Sequence, residues 1–273
     1  MNDEHRAVER ALGWAPGRAS LTPLTGGRSN RSYLVTGGAT PLVLKVYEAA
    51  GSEMFPNDPH AEWTALERLS PMGLAPEPVA RVTIGTKPGL IYTHVTGTIG
   101  ASAHLLGRAL ARLHTVRDWS GLRRLPRAGA QTSETLVAHL PGGMALSRLR
   151  PPRRVAPPAA DVLLHGDPVP SNVVTTPQGI TFIDWQCPAL GPPEEDLFLA
   201  LSPGMAHVYG QAPAAMDTLL DGYRSEPVAM RLRARLPELH WRMACYCHLR
   251  ASESAAGYAA ARDIEMRALK KAR

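Results

Sequence analysis

The most informative pattern of apolar and polar positions lies between residues 162 and 186, VLLHGDPVPSNVVTTPQGITFIDWQ. An apolar triplet opens this stretch and predicts a short strand, which gives way to a polar loop that carries Asp167 and Asn172. A second apolar run at residues 180–183 predicts a strand that ends at Asp184. The loop ends of rigid strands are where proteins hold polar groups for chemistry. This stretch therefore predicts a strand pair that presents two carboxylates and one amide.

The first third of the chain has the pattern of a small sheet with one main helix. Short runs rich in valine, leucine, isoleucine and tyrosine are separated by glycine and proline turns, which is typical of strands. An apolar stripe at helical spacing predicts the main helix over residues 59–69, and a shorter amphipathic helix is expected over residues 4–12. The predicted strands cover residues 21–24, 33–35, 41–47, 79–84 and 90–95.

After a hinge expected at residues 96–98, helical periodicity replaces the strand pattern. Leucines on one face predict a helix over residues 101–116. Between residues 118 and 160 proline, glycine and arginine dominate, so mainly loops are expected there, and the basic C-terminal end is expected to fray. Further helices are predicted at residues 132–140 and 144–149, from about residue 194, and at residues 212–224, 227–235 and 236–261.

The composition is that of an ordinary globular protein, with enough residues for one generous core or two modest lobes. No segment offers the ~18 consecutive apolar residues that a membrane span requires. The start, MNDEHRAVERAL, carries charge where a signal peptide has its apolar centre. Three cysteines leave at least one unpaired, so no disulfide framework is expected. We therefore expect a cytoplasmic protein without a membrane partner.

The net charge of +6 raises the question of nucleic-acid binding. Arginines cluster at residues 123–127 and 148–154, but they sit among prolines and glycines, without interleaved aromatic residues or a recognisable reading module. Only four of the 30 basic residues are lysine, so the chain uses arginine for most of its positive charge. The clusters are more simply interpreted as surface cations, and we expect no nucleic-acid partner.

One of the lysines needs a separate explanation. Lys45 lies inside a predicted strand, flanked by apolar residues, where burial of an unpaired ammonium is costly. It either points to water from an edge strand or pairs with a carboxylate, for which Glu62 on the next helix is a candidate. Upstream, Gly26 and Gly27 lie in a hairpin whose backbone N–H groups can approach phosphates, because glycine has no blocking side chain. Together these residues predict a phosphate-binding arrangement.

Asp167, Asn172 and Asp184 supply the complementary chemistry. Phosphoryl transfer depends on positioning and charge neutralisation: a carboxylate orients or deprotonates the acceptor hydroxyl, and oxygen ligands hold Mg²⁺ between the phosphates. Asn172 follows Asp167 by five residues, and Asp184 ends the next strand. One loop and the strand after it can therefore provide a base and metal ligands.

The motif around these residues resembles that of a known family. His165-Gly166-Asp167-x-x-x-x-Asn172, followed by Phe182-Ile183-Asp184-Trp185, is similar to the catalytic signature of the aminoglycoside phosphotransferase/choline kinase group, small-molecule kinases with a protein-kinase-like fold. The other segments that match the group are Gly26-Gly27-Arg28-Ser29-Asn30, Leu44-Lys45-Val46, Glu62, residues 106–114 and residues 193–197.

The resemblance implies a role for each matching residue. Asp167 would be the catalytic base or orient the acceptor hydroxyl, and Asn172 and Asp184 would bind Mg²⁺. Lys45, paired with Glu62, would hold the α- and β-phosphates of ATP. The remaining implied roles are adenine binding by backbone groups around Thr93 to Val95, phosphate covering by Gly26, Gly27, Ser29 and Asn30, a structural His165, a packed Trp185, and an Asp196 that braces the catalytic loop.

The resemblance also implies the fold class, α+β with a protein-kinase-like two-lobe fold. Residues 1–95 would form the nucleotide-binding lobe, a small antiparallel sheet with one main helix. Residues 96–273 would form a mostly helical lobe for catalysis and acceptor binding. ATP and Mg²⁺ are the implied cofactors, and a small molecule with a hydroxyl group is the implied partner.

The sequence does not identify the molecule that accepts the phosphate. Carboxylates on the C-terminal helices are dispersed among arginines, which argues mildly against polycationic aminoglycosides. An amino alcohol such as choline or ethanolamine, or a sugar or amino sugar, is the expected class. The alternatives are an aminoglycoside-modifying kinase and a non-catalytic nucleotide-binding protein on the same fold, which intact Lys45, Asp167, Asn172 and Asp184 disfavour.

Overall fold

The computed structural model describes residues 3–25, 30–48, 51–126, 132–152 and 160–273. The chain falls into two compact units. The first comprises Met1–Ile99 and Ser171–Pro188, and the second comprises Gly100–Pro170 and Ala189–Arg273.

Elements are numbered along the chain. The strands are β1 (Ser20–Leu24), β2 (Asn30–Thr36), β3 (Leu42–Tyr47), β4 (Pro78–Ile84), β5 (Lys87–Thr93), β6 (Thr98–Ile99), β7 (Arg123–Arg124), β8 (Val162–Leu164), β9 (Val173–Thr176), β10 (Gly179–Phe182) and β11 (Ala189–Gly191). The helices are α1 (Asp3–Leu12), α2 (Pro59–Leu69), α3 (Ala103–Leu113), α4 (Ser133–Leu136), α5 (Gly143–Arg148), α6 (Glu194–Leu201), α7 (Pro203–Val208), α8 (Met216–Tyr223), α9 (Glu226–Ser252) and α10 (Tyr258–Ala272).

The first unit is built on an antiparallel sheet in the order β1-β2-β3-β5-β4. Every residue of the middle strand, β3, is buried, because both faces of the sheet are covered there. Side chains alternate between the faces of a strand. Leu44 and Val46 join an apolar core with Val8 of α1, so the alternate position, Lys45, belongs to the opposite face.

A second, smaller sheet completes this unit. β9 and β10 form a hairpin, and β6 pairs with β9 to give the order β10-β9-β6. The hairpin is tied to the segment after α2, since Phe182 N–H donates to the Leu74 carbonyl at 3.0 Å and Thr181 Oγ1 donates to the Gly73 carbonyl at 3.1 Å.

The second unit is mostly helical, with one small sheet of β7, β11 and β8. Helices α3 and α8 approach so closely that a Cβ added at Gly107 would lie 2.1 Å from the Leu219 carbonyl oxygen, and one added at Gly222 would lie 2.1 Å from the His104 carbonyl oxygen. The longest helix, α9, packs against α10 and carries charged residues along its length. Within the described residues, no helix has the length and apolar character needed to cross a membrane.

The structure confirms the predicted fold class, the five-stranded sheet and the main helix at residues 59–69. Three predictions in the C-terminal part are wrong. The helices expected at residues 227–235 and 236–261 are one helix, α9, which continues through Pro237 and ends near Glu253, where Ser254 and Gly257 have left-handed backbone. The C-terminal end, which was expected to fray, is helical through Ala272, and Leu269 of α10 is buried in a cluster with Trp241 of α9. The helix expected from residue 212 begins only at Met216.

Four short elements were not predicted from the sequence. The segment expected as a hinge, residues 96–98, runs into β6, which pairs with β9. Strands β7 and β11 and helix α7 had no periodic signal, since each has six residues or fewer.

Candidate active site

Lys45 is buried at the centre of the first unit, between two carboxylates. In the sheet it lies opposite Ser32 on one side and Leu90 on the other, so it is not on an edge strand, and its exposed fraction is only 2%. Its ammonium donates to Glu62 Oε2 at 2.6 Å and also contacts Asp184 Oδ1. The structure thus confirms the predicted pairing with Glu62 and adds Asp184 as a second partner.

The cluster holds its lysine in the charged form. Burial alone would lower the pKa of Lys45, but the carboxylates of Asp184 and Glu62 outweigh burial and raise this pKa above its ordinary value. The Tyr47 hydroxyl also donates to Glu62 Oε2, and burial next to this carboxylate raises the pKa of Tyr47 well above its ordinary value. Lys45 is therefore an ammonium and Tyr47 a neutral donor, both fixed by Glu62.

Asp184 stands at the end of β10 in a strained conformation. Its φ of 63° is left-handed, a region that residues with a Cβ enter at a cost of about 1–3 kcal/mol and that clusters at functional sites. A third of its side chain is exposed, at 34%, whereas Lys45 and Glu62 are almost wholly buried. Of the three charged groups, Asp184 is the most exposed.

Asn172 lies beside Asp184 within the same unit. Its backbone carbonyl accepts a hydrogen bond from Ile183 N–H at 2.9 Å, which continues the pairing of Val173 with Phe182. The two neighbouring positions therefore offer an amide oxygen and a carboxylate, the oxygen donors that Mg²⁺ prefers. These two donor types fit a magnesium ion.

Asn30 enters an amide network that the sequence analysis did not find. Its Nδ2 donates to Asn57 Oδ1 at 2.8 Å and to Gln186 Oε1 at 2.7 Å, and Asn57 Nδ2 donates back to Asn30 Oδ1 at 2.6 Å. The Gln186 carbonyl accepts from the N–H of Asp58, whose carboxylate caps α2. The network joins the start of β2, the start of α2 and the segment after Asp184.

In the second unit, Asp196 braces the loop that follows β8, as predicted. Its carboxylate accepts from His165 N–H at 2.8 Å and from Gly166 N–H at 2.9 Å, and it lies 3.2 Å from His114 Nε2. Gly166 has a left-handed φ of 84°, which favours glycine. The ring of His165 accepts the Asp167 N–H at 3.2 Å, so this histidine has the structural role expected of it.

Asp167 is buried at the end of this braced loop. Its Oδ2 accepts a hydrogen bond from the Tyr209 hydroxyl at 3.2 Å. Tyr209 follows α7, one of the missed elements, and nothing in its sequence context indicates a partner forty-two positions upstream. Trp185 is fully buried and donates to the Phe182 carbonyl at 3.0 Å, so it packs as expected.

Thr93 and Val95 differ in what their backbone groups can do. The Thr93 N–H donates to the Glu77 carbonyl at 2.9 Å, and the His94 N–H donates to the Pro41 carbonyl at 3.0 Å. Among the residues that the structure describes, no partner occupies the N–H or carbonyl of Val95. Gly26, Gly27 and Ser29 lie outside the described residues.

These observations indicate which class of protein this is. A buried lysine held by two carboxylates, a paired amide and carboxylate for a metal, and an aspartate on a braced loop are the parts of a phosphoryl-transfer enzyme. The chain belongs to the phosphotransferase enzyme family (APH), whose model matches residues 20–239, and it is a small-molecule kinase. The resemblance on which the sequence analysis relied is thereby confirmed.

Solved structures show the same fold at low sequence identity. A choline/ethanolamine kinase family protein from Mesorhizobium loti is 16% identical, with 97% of this chain and 93% of that chain covered and a TM-score of 0.64. The microcompartment-associated aminopropanol kinase is 19% identical, with 97% of both chains covered and a TM-score of 0.61. Spectinomycin phosphotransferase is 14% identical, with 93% and 92% covered and a TM-score of 0.56. No curated protein sequence matches the chain.

Proposed function

We propose that this protein is an ATP- and Mg²⁺-dependent kinase that transfers the γ-phosphate to a hydroxyl group of a small metabolite. The acceptor class is an amino alcohol, such as choline or ethanolamine, or a sugar or amino sugar. The observation that carries the proposal is the Lys45 ammonium, which is buried in the middle strand and held by Glu62 and Asp184. A buried ion pair is a poor source of stability, so a phosphate ligand is the better reason for its presence.

In this proposal the first unit binds the nucleotide. Lys45, oriented by Glu62, holds the α- and β-phosphates, and the hairpin residues Gly26, Gly27, Ser29 and Asn30 cover them. Adenine takes its hydrogen bonds from Val95 in preference to Thr93, whose N–H is already engaged. The structure of spectinomycin phosphotransferase contains ADP, which supports an adenine nucleotide here.

Asn172 and Asp184 are the proposed magnesium ligands. Bound Mg²⁺ would neutralise the charge of the β- and γ-phosphate oxygens. Asp184 would offer its carboxylate to the metal as well as to Lys45, and its left-handed backbone fixes where that carboxylate begins. Groups that are already positioned in this way lower the reorganisation cost of a reaction.

Asp167 is the proposed base. Its carboxylate accepts the proton of the acceptor hydroxyl as that oxygen forms a bond to the γ-phosphorus. The bond from the γ-phosphorus to the bridging oxygen breaks, and ADP leaves with the electron pair. The Tyr209 hydroxyl, which donates to Oδ2, fixes the orientation of this carboxylate. A cytoplasmic location, where ATP is available, is part of the proposal.

An observation on the helical unit favours a small acceptor over a polycationic aminoglycoside. Glu194 and Glu195, at the start of α6, are buried in ion pairs with Arg231, Arg235 and Arg242. Carboxylates that are already neutralised have little capacity to bind the ammonium groups of an aminoglycoside. Amino alcohols and sugars carry one positive charge or none.

A panel of amino alcohols, sugars, amino sugars and aminoglycosides, assayed for acceptor-dependent ADP release with Mg²⁺ and ATP, tests the proposal. We expect turnover with one of the first three classes, and its loss in Asp167→Asn by at least 10³-fold, while a thermal shift with Mg-ATP persists. Asp217→Asn, an exposed acid on α8 of the same unit, is the matched control and should keep its rate.

Each other outcome changes the proposal. Wild-type-like turnover in Asp167→Asn would remove the assignment of the base. Binding of Mg-ATP without ADP release for any acceptor would favour a non-catalytic nucleotide-binding protein, and turnover with aminoglycosides alone would favour a resistance kinase.

A further inference from the structure

Two arginines of the basic cluster at residues 148–154 line a cavity in the helical unit. The cavity has a volume of about 440 Å³ and lies beside the end of α5 and the middle of α9. Pockets of about 300–1,000 Å³ are the size that small molecules occupy. Its charged lining residues are Arg148, Arg150, Arg235, Arg273 and Glu238.

The cavity has an excess of unneutralised positive charge. Arg235 lies 2.7 Å from Glu195 and 3.7 Å from Glu238. Glu238, the one acidic residue in the lining, is therefore next to an arginine that already has another carboxylate partner. Arg148 makes no hydrogen bond or ion pair within the described chain. The guanidinium of Arg150 lies over the Trp241 ring at 5.2 Å from its centroid, and Arg273 donates to the Leu149 carbonyl at 2.6 Å.

Arg148, Arg150 and Arg273 are three cations around one cavity. They repel each other unless an anion binds between them. A concave wall of low dielectric focuses their field, and the planar guanidinium fork matches phosphate oxygens in pairs. Several arginines suit an anion with more than one negative charge and at least three acceptor oxygens, which a phosphate group provides. The volume exceeds that of a single phosphate, so the matching ligand carries an additional group.

We propose that this cavity binds a small phosphorylated molecule. None of its lining residues takes part in the proposed phosphoryl transfer, so the site stands or falls independently of that function. Arg148 and Arg150 are the binding residues to test, since they are exposed and have no carboxylate partner in the described parts of the chain. Arg235 is unsuitable for this purpose, because its replacement would also remove an ion-pair partner of Glu194 and Glu195.

Calorimetric titration of the full chain with pyrophosphate, without nucleotide or Mg²⁺, tests the proposal. We expect saturable binding whose affinity falls more than tenfold in Arg148→Ala/Arg150→Ala, and about threefold or more in Arg148→Ala alone. The matched control is Arg108→Ala/Arg267→Ala, which removes two exposed arginines of the same unit that make no ion pair in the described structure. It should bind as the wild type does.

The control separates local binding from general attraction to a basic protein. Unchanged affinity in Arg148→Ala/Arg150→Ala would overturn the proposal, and so would an equal loss in both double variants. A single-stranded RNA that binds more tightly than pyrophosphate and loses affinity in the same variant would replace it with a nucleic-acid site. Thermal unfolding midpoints without ligand verify that each variant is folded.

Discussion

The ammonium of Lys45 lies 2.6 Å from Glu62 Oε2, and both side chains are almost entirely removed from water. Desolvation of two charges usually costs as much as their attraction returns, so replacement of such a pair by apolar residues is often neutral for stability. The pair is therefore better explained by the position it gives the ammonium than by the stability it adds. Its energetics can be separated from its function by mutation.

Lys45→Met leaves Glu62 buried without its cation, so we expect the free energy of unfolding to fall by about 3–5 kcal/mol. Lys45→Met/Glu62→Gln removes both charges while keeping an acceptor for the Tyr47 hydroxyl, and should recover most of that loss. Neither variant should transfer phosphate. Urea unfolding and ADP release measure the two properties. Lys87→Met, at a half-buried lysine on β5, should change stability by less than about 0.5 kcal/mol, and an equally small change in Lys45→Met would contradict the expectation.

The pairing of Lys45 with Glu62 could be predicted because the sequence around Lys45 is unusual for a lysine. A lysine inside an apolar strand needs a carboxylate, and the nearest helix in sequence offered one. The second partner, Asp184, could not be inferred this way, since it lies 139 positions away and only the packing of the two sheets brings it to Lys45. The hydrogen bonds of Asn30 with Asn57 and Gln186 could not be predicted either, because nothing in the sequence around these two amides indicates that they lie beside Asn30.

The helical part was harder to predict for a different physical reason. Pro237 indicates a helix end, because proline lacks an N–H and disfavours a helical residue before it. In α9 the helix continues, since residues after Pro237, including Leu239, Trp241 and Ala244, are buried against their neighbours. Burial on this scale outweighs one missing hydrogen bond. Short elements such as α7, which carries the chain to Tyr209, are too brief for periodicity to reveal.

Tyr209→Phe tests the contact between the Tyr209 hydroxyl and Asp167 Oδ2. One hydrogen bond to a charged group is worth about 1.5–3 kcal/mol, so we expect kcat to fall by roughly 10-fold or more. The KM for ATP should not change, because within the second unit this hydroxyl acts on the proposed base and not on nucleotide-binding residues. Steady-state kinetics with a saturating acceptor measure both constants. A raised KM for ATP with unchanged kcat would show that Tyr209 has a different role.

Gly107→Ala tests the close approach of α3 and α8. Helix propensity alone would favour alanine by about 1 kcal/mol. The new Cβ would lie 2.1 Å from the Leu219 carbonyl oxygen, and a backbone atom cannot move away as a flexible side chain can. We therefore expect a loss of about 1–3 kcal/mol or more in the free energy of unfolding. Arg108→Ala, at the exposed neighbouring position, is the control and should be close to neutral. Stabilisation by Gly107→Ala would mean that the helices are farther apart.

Glu195 gives a prediction about pH. Burial opposes its ionisation, but the guanidinium groups of Arg242 and Arg235 outweigh burial and hold the pKa of Glu195 below its ordinary value. A carboxyl whose pKa is lower in the folded than in the unfolded chain stabilises the fold above the unfolded pKa, about 4.3. That contribution disappears as the pH falls through the lower pKa of the folded state. The stability that Glu195 provides should therefore be large near neutral pH and small in acid.

Glu195→Gln lacks the charge at every pH, so its difference from the wild type reports this contribution. At about pH 7 we expect the variant to be less stable by roughly 1.5–3 kcal/mol, because Arg235 and Arg242 lose the carboxylate that they share and each keeps fewer acidic partners. The difference should shrink steadily once the pH falls below about 4.3. Urea unfolding of both proteins across this range measures it. Glu253→Gln, at an exposed acid beside Arg250, should differ little from the wild type throughout. A Glu195→Gln difference that is constant or grows toward low pH would show that the two arginines do not dominate the ionisation of Glu195.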